Sequence, residues 1–163
     1  MSKSFFKSVV MAAVFVIGAV LPLSAFAGQS GLDKAVSYYK KCLIDGFCHG
    51  IKISSGGQEL PAAKRQRLEP LVDKFIHDTM LPVLKKHNVL DEWIKCQSDP
   101  AIIDLNNRAM QTTNGDDLQK FMVEAMMLMQ KKYPDFISTC GQDTTYIQGY
   151  RKLITDMVTA LTN

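Results

Sequence analysis

The chain lacks the short motifs that accompany most well-understood enzyme chemistries. Its 163 residues contain no G-x-S-x-G, no H-E-x-x-H, no dinucleotide-binding glycine pattern and no protein-kinase signature. It has three histidines and four cysteines, and no two cysteines form a C-x-x-C pair. The haem attachment motif and the usual zinc-binding cysteine pairs are therefore missing. These absences favour a protein that is not an enzyme.

Net charge is also small once the N-terminal segment is set aside. The chain has 19 Lys and Arg against 16 Asp and Glu, and residues 1–27 hold two of the lysines and no acid. The remainder, with 17 basic and 16 acidic residues, has no general attraction for nucleic acid or anionic membranes. We therefore predict no nucleic-acid partner, and we interpret the cluster Lys64, Arg65 and Arg67 as one solvated face.

Residues 1–27 have the three-part order of a secretory signal peptide. Two lysines come first, an apolar stretch covers residues 9–23, and Ala25 and Ala27 supply the small residues of a cleavage site. The apolar stretch of about 15 residues is shorter than the roughly 20 that span a bilayer. This order predicts cleavage after Ala27.

The chain that would follow cleavage, residues 28–163, has the length of one domain. It contains no further apolar stretch long enough to span a membrane. We therefore expect an exported protein without a membrane span, located in the periplasm or secreted from a bacterium. The bacterial assignment rests on the style of the signal alone.

All four cysteines lie in the predicted mature chain, and an oxidising compartment favours their pairing. Three connectivities are possible, and we favour Cys42–Cys48 together with Cys96–Cys140. The first pair would tie a helix end to the following loop, and the second would join two distant helices. In the alternative, Cys42, Cys48 and His49 bind zinc, but a fourth ligand is not evident. We predict two disulfides, no metal and no cofactor.

Apolar residues recur at helical spacing throughout, which predicts an all-α, single-domain, irregular bundle of five or six helices linked by disulfides. The clearest stripe covers residues 68–84 and contains Pro82. Because proline has no N–H to donate to the carbonyl of Asp78, we expect a kink there. The glycine-rich residues 44–60 are typical of a loop.

Capping residues mark the starts of later helices. Asp99 followed by Pro100 predicts a helix start, because an acid caps well and proline suits the first helical position. After Asn114 and Gly115, we expect Asp116 to cap the next helix.

The helix after Gly115 is unusually rich in methionine. Met residues at helical spacing usually fill a core, but from residue 121 to residue 129 only Glu124 is charged. A helix this apolar is either central or exposes a face to a partner. We therefore predict a partner or ligand surface made by Phe121, Met122, Met126, Met127 and Met129. Since thioethers can select copper(I), a copper carrier using residues 122–129 is an alternative.

The nearest approach to an enzyme motif is the pair His77 and Asp78, which follows the glycine-rich segment. A His-Asp pair on a helix after such a segment resembles secreted phospholipase A2, and the resemblance implies a small hydrolase with a loop-bound calcium. Ile76 and Thr79 stand where that family places cysteines, and residues 44–60 depart from its calcium loop. His87 and Asp91, four residues apart, offer two ligands, which is too few for zinc.

The hypothesis that agrees best with the sequence is an exported, non-enzymatic helical protein that binds a protein or a small apolar ligand. An inhibitor, an immunity-type protein, a chaperone-like protein and a secreted factor all fit this description. The alternatives are a small secreted, phospholipase-like hydrolase centred on His77 and Asp78, and the envelope copper carrier.

Overall fold

The computed structural model describes residues 30–162, in which all regular structure is helical and no strand occurs. The predicted signal peptide, residues 1–27, lies outside the described residues. The helices are α1 (Gly31–Ser54), α2 (Ala62–Gln66), α3 (Glu69–Phe75), α4 (Leu81–Lys86), α5 (Leu90–Gln97), α6 (Pro100–Gln111), α7 (Gly115–Lys132), α8 (Pro134–Gln142) and α9 (Thr144–Thr162). The prediction of an all-α fold is confirmed. The described chain has more helices than the five or six predicted.

The first helix is longer than the sequence suggested, because α1 continues to Ser54 through the segment predicted as a loop. Gly46 and Gly50 each weaken a helix by about 1 kcal/mol relative to alanine. Burial of Phe47, which is 5% exposed, offsets this because a large apolar side chain gains about 1.5–3 kcal/mol. The helix ends only where Gly56 and Gly57 adopt positive φ angles of 75° and 98°.

The disruption predicted near Pro82 takes the form of a π-helical turn, Ile76–Met80, between α3 and α4. The backbone N–H of Leu81 donates to the carbonyl of Ile76, five residues back instead of four. This wider turn lies immediately before the proline that cannot donate, so α3 and α4 continue as one distorted helix.

Two helix starts show which capping predictions were right. The carboxylate of Asp99 accepts a hydrogen bond from the N–H of Ala101 at 2.9 Å, which confirms the start of α6. At α7 the cap is Asn114, whose Oδ1 accepts from the N–H of Asp117 at 2.8 Å. The prediction of Asp116 as the cap was wrong, because extended backbone at Asn114 places Asp116 inside the first turn.

The main core lies between α1, the α3–α4 helix, α5 and α9. Its largest fully buried side chains include Trp93, Leu43, Leu68, Ile76, Met80, Leu84 and Met157. From α6 and α7, only Ile102 and Met129 are buried members of this core, with Leu128 packed at its border. The two helices instead pack mainly on each other, and we call them the α6–α7 hairpin.

The predicted disulfides are not present, because no pair of the four cysteines is close enough to bond. Cys42 and Cys48 both lie in α1, where six residues correspond to a rise of about 9 Å and to directions far apart around the axis. Their pairing assumed a loop that does not exist. Cys96 and Cys140 lie in α5 and α8, and burial raises the pKa of each thiol to about 12.

None of the described helices is both long and apolar enough to cross a bilayer. This finding is consistent with the expectation of no membrane span in residues 28–163.

Candidate functional site

Each helix of the α6–α7 hairpin has one small buried residue outside the main core. Ala109 of α6 is 2% exposed and Ala125 of α7 is fully buried. At the side of the hairpin, the guanidinium of Arg108 lies 4.5 Å from the centroid of the Phe121 ring. The two helices therefore pack mainly on each other, while a hydrogen bond of 3.2 Å from the Asn106 amide to the Tyr38 hydroxyl joins α6 to α1.

The predicted binding residues occupy three different environments on α7. Met129 is buried in the core, whereas Phe121, Met122 and Met126 are half-buried. Met127 is 65% exposed. The methionine sulfurs therefore lie at different depths rather than on one accessible surface.

Sequence reasoning missed Val123, which is 43% exposed and precedes Met127 by one helical turn. Val123 and Met127 are the large hydrophobic residues with high exposure in the described chain. The spacing of four residues was a signal that could have found the pair.

The hairpin carries further apolar surface outside the core. Half-buried hydrophobic residues of α6 and α7 that belong neither to the core nor to its border are Ile103, Leu105, Met110, Leu118, Phe121, Met122 and Met126. Together with the exposed pair they give the hairpin apolar surface that does not belong to the core. Contiguous exposed apolar surface is typical of interaction sites.

Charged side chains border the exposed pair on α7. Asp116, Lys120 and Lys131 are exposed, and no ion pair within residues 30–162 involves them. The neighbouring Lys132 differs, because its Nζ lies 2.7 Å from the carboxylate of Asp99. The charges that flank Val123 and Met127 are thus available to a partner.

The pair His77 and Asp78 lies on the π turn, and both side chains are exposed. In the described part of the chain no hydrogen bond or ion pair joins His77 to a carboxylate. A general base needs such a partner or a substrate pocket to orient it, and the geometry supplies no partner.

A shallow polar pocket of about 370 Å³ lies elsewhere, between the end of α4 and the α8–α9 junction. It is lined by His87, Ser138, Thr139, Gln142, Asp143 and Thr144. Nε2 of His87 lies 2.9 Å from Oδ2 of Asp143, and Oγ of Ser138 accepts a hydrogen bond from Gln142 at 3.0 Å. Because Ser138 has no hydrogen bond to His87 among the described residues, the geometry does not activate it as a nucleophile.

Asp143 also caps α9, since its Oδ1 accepts from the N–H of Tyr146 at 2.9 Å. This hydrogen bond has the largest effect in lowering the pKa of the Asp143 carboxyl to about 2, and the hydrogen bonds from His87 and Lys86 have smaller effects in the same direction. The partner of His87 is thus Asp143, 56 residues away. Asp91, which the sequence offered with His87 as a second metal ligand, is exposed on α5. The arrangement joins α4 to α9.

The residues considered for zinc are separated by the helical geometry of α1. Burial raises the pKa of the Cys48 thiol, and burial together with Lys52 lowers the pKa of His49. No group of three or more His, Cys, Asp or Glu side chains in residues 30–162 is arranged to hold a metal ion.

The basic cluster is less solvated than its sequence suggested. Arg65 pairs with the buried carboxylate of Asp45, and Lys64 donates to the backbone carbonyl of Leu161. Arg67 is exposed. These contacts tie α2 to α1 and α9, so the cluster has a structural role.

Comparison of the chain with known protein families, with curated proteins and with solved structures found no match.

Proposed function

We propose that this chain is an exported, non-enzymatic helical protein that binds another protein through the α6–α7 hairpin. The observation that carries the proposal is the exposure of Val123 and Met127 beside half-buried apolar side chains that do not join the core. Methionine suits such a role because its flexible side chain adapts to the shape of a partner.

The shape of the site favours a protein over a small apolar ligand. Small-molecule sites are usually concave and largely apolar, so that they enclose the ligand. Val123 and Met127 instead stand on the outer side of a helix, and the pocket at His87 is lined by polar side chains. A second helix packed along α7 would cover the exposed pair.

Export is the second part of the proposal, and it is supported by the sequence of residues 1–27. Delivery to the periplasm or the medium would place the hairpin among envelope or extracellular proteins.

Site-specific photo-cross-linking in the producing cells tests the binding role. A benzophenone amino acid replaces Met127 in one variant and Gln148 in another, because Gln148 is an exposed residue of α9 far along the chain from the hairpin. We expect a cross-linked protein at position 127 and none at 148. Mass spectrometry of the adduct then identifies the partner.

The identified partner, once purified, is titrated against the wild-type protein, Met127→Lys and the matched control Gln148→Lys. We expect Met127→Lys to weaken binding at least about tenfold, as for a residue at an interface centre. The control should bind like the wild type. Equal affinity for all three proteins, or no cross-linked protein at position 127, would contradict the proposal.

A further inference from the structure

Five exposed residues of α7 form one continuous stripe. Successive members are four, three, four and four residues apart, which keeps them on one side of the helix. They are Asp116, Lys120, Val123, Met127 and Lys131. We call this set the α7 stripe.

The α7 stripe matches itself when a second copy is laid alongside in the opposite direction. If the two-fold axis passes beside Val123, so that this residue approaches Val123 of the second copy, then Asp116 lies opposite Lys131 and Lys120 opposite Met127 to within one residue. The pairings of Asp116 with Lys131 and of Lys120 with Met127 each occur twice, as a two-fold axis requires. The stripe thus combines an apolar centre with opposite charges at its two ends.

The charges of the stripe are not used within the chain. No ion pair in residues 30–162 involves Asp116, Lys120 or Lys131, although other lysines of similar position, such as Lys132, are paired. The carbon chain of Lys120 can cover Met127 of the second copy, while the ammonium group of Lys120 reaches Glu124 of that same second copy. Every residue of the stripe then has a partner of suitable chemistry.

We propose that the α7 stripe is the interface of an antiparallel, two-fold symmetric homodimer. This inference rests on the proposed function, because it names a second copy of the chain as the protein that covers the hairpin. The stripe is about 22 Å long, and one helix per copy buries less than the roughly 800 Å² of a standard interface. The dimer is therefore weak and dissociates on dilution through the micromolar range.

Sedimentation equilibrium of the exported protein at about 50 mM salt tests the association, where charge pairs are less screened than at higher ionic strength. We expect the wild type and Gln148→Lys to dimerise alike. Met127→Lys should weaken the dimer at least about tenfold, since it removes the apolar contact and twice places a positive charge opposite Lys120. Circular dichroism confirms that each variant keeps its helical content.

Charge reversal tests the antiparallel arrangement. Asp116→Lys places Lys opposite Lys, and Lys131→Asp places Asp opposite Asp, so each variant alone should dimerise several-fold more weakly. An equal mixture of the two variants restores opposite charges at both ends of the stripe, and so does the double variant. We expect both to regain the wild-type association.

A wild-type protein that stays monomeric up to about 1 mM would overturn the homodimer. The proposed function would still stand if the cross-link at position 127 identified a different protein. Dimerisation without recovery in the mixed charge variants would overturn the antiparallel α7 interface.

Discussion

Gly149 of α9 lies so close to Thr79 of the π turn that a Cβ atom at position 149 would be 2.5 Å from Thr79 Cγ2. The missing side chain is what allows α9 to cross the distorted helix at this point. The π turn and the glycine therefore form one contact, although 70 residues separate them in the sequence.

Gly149→Ala should destabilise the protein by about 1–3 kcal/mol, because overpacking at a backbone crossing outweighs the better helix propensity of alanine. Gly50→Ala is the matched control, since nothing lies within 4 Å of a Cβ atom there. It should stabilise α1 by up to about 1 kcal/mol. Urea unfolding followed by circular dichroism measures both, and an unchanged midpoint for Gly149→Ala would show that Thr79 moves aside freely.

The Asp143 carboxyl makes stability depend on acid pH. Its pKa is lowered in the folded protein to about 2 by the Tyr146 N–H, His87 and Lys86. The carboxyl has a pKa near 3.8 in the unfolded chain. At pH values above 3.8 the lowered pKa therefore stabilises the folded protein, and this contribution disappears as the pH falls towards 2.

Asp143→Asn keeps a capping side chain but removes the charge. We expect the wild type to be more stable than this variant at pH 6, and the difference to shrink as the pH falls from about 5 to 2. Urea midpoints over this pH range give the comparison. A difference that stays constant with pH would rule out the ionic contribution.

The buried carboxylate of Asp45, with a side chain 7% exposed, depends on Arg65 and Lys41. Removing one partner of a fully buried pair costs about 3–5 kcal/mol. We expect Arg65→Met to cost less, about 2 kcal/mol, because the Arg65 side chain is 42% exposed and Lys41 remains.

The control for this change is Arg67→Met, which alters an exposed arginine two residues away and should stay within about 0.5 kcal/mol of the wild type. Thermal unfolding of both variants provides the measurement. Equal stability of the two would mean that Asp45 does not need Arg65.

The thiols of Cys96 and Cys140 should resist alkylation in the folded protein. Burial raises both pKa values to about 12, so almost no thiolate is present at pH 8. We expect slow labelling by iodoacetamide in buffer and four labels per chain in urea without reductant. A mass lower by the hydrogens of one or two disulfides would contradict the fold described here.

The fold class was predictable because apolar residues recur at helical spacing along nearly the whole chain. Asp99 and Pro100 marked the start of α6, and Pro82 marked the distorted helix. Gly46 and Gly50 were misleading, since burial of the side chains around them keeps α1 helical. Local patterns carry no information about that tertiary compensation.

The candidate site was predictable only in part. An apolar helix such as α7 does not show from its sequence which side faces the core. Packing between α6 and α7 decides that side, since Ala125 is fully buried whereas Val123 and Met127 face outward. The pairing of His87 with Asp143 depends on packing across 56 residues, for which no local signal exists.

The α6–α7 hairpin contributes few side chains to the main apolar core, mainly Ile102 and Met129, and one buried hydrogen bond from Asn106 to Tyr38 also joins it to α1. Such a segment opens as a local unit at lower free energy than global unfolding, so its amides should exchange hydrogen before those of the core. Substitutions on its outer side then leave the stability of the other helices nearly unchanged.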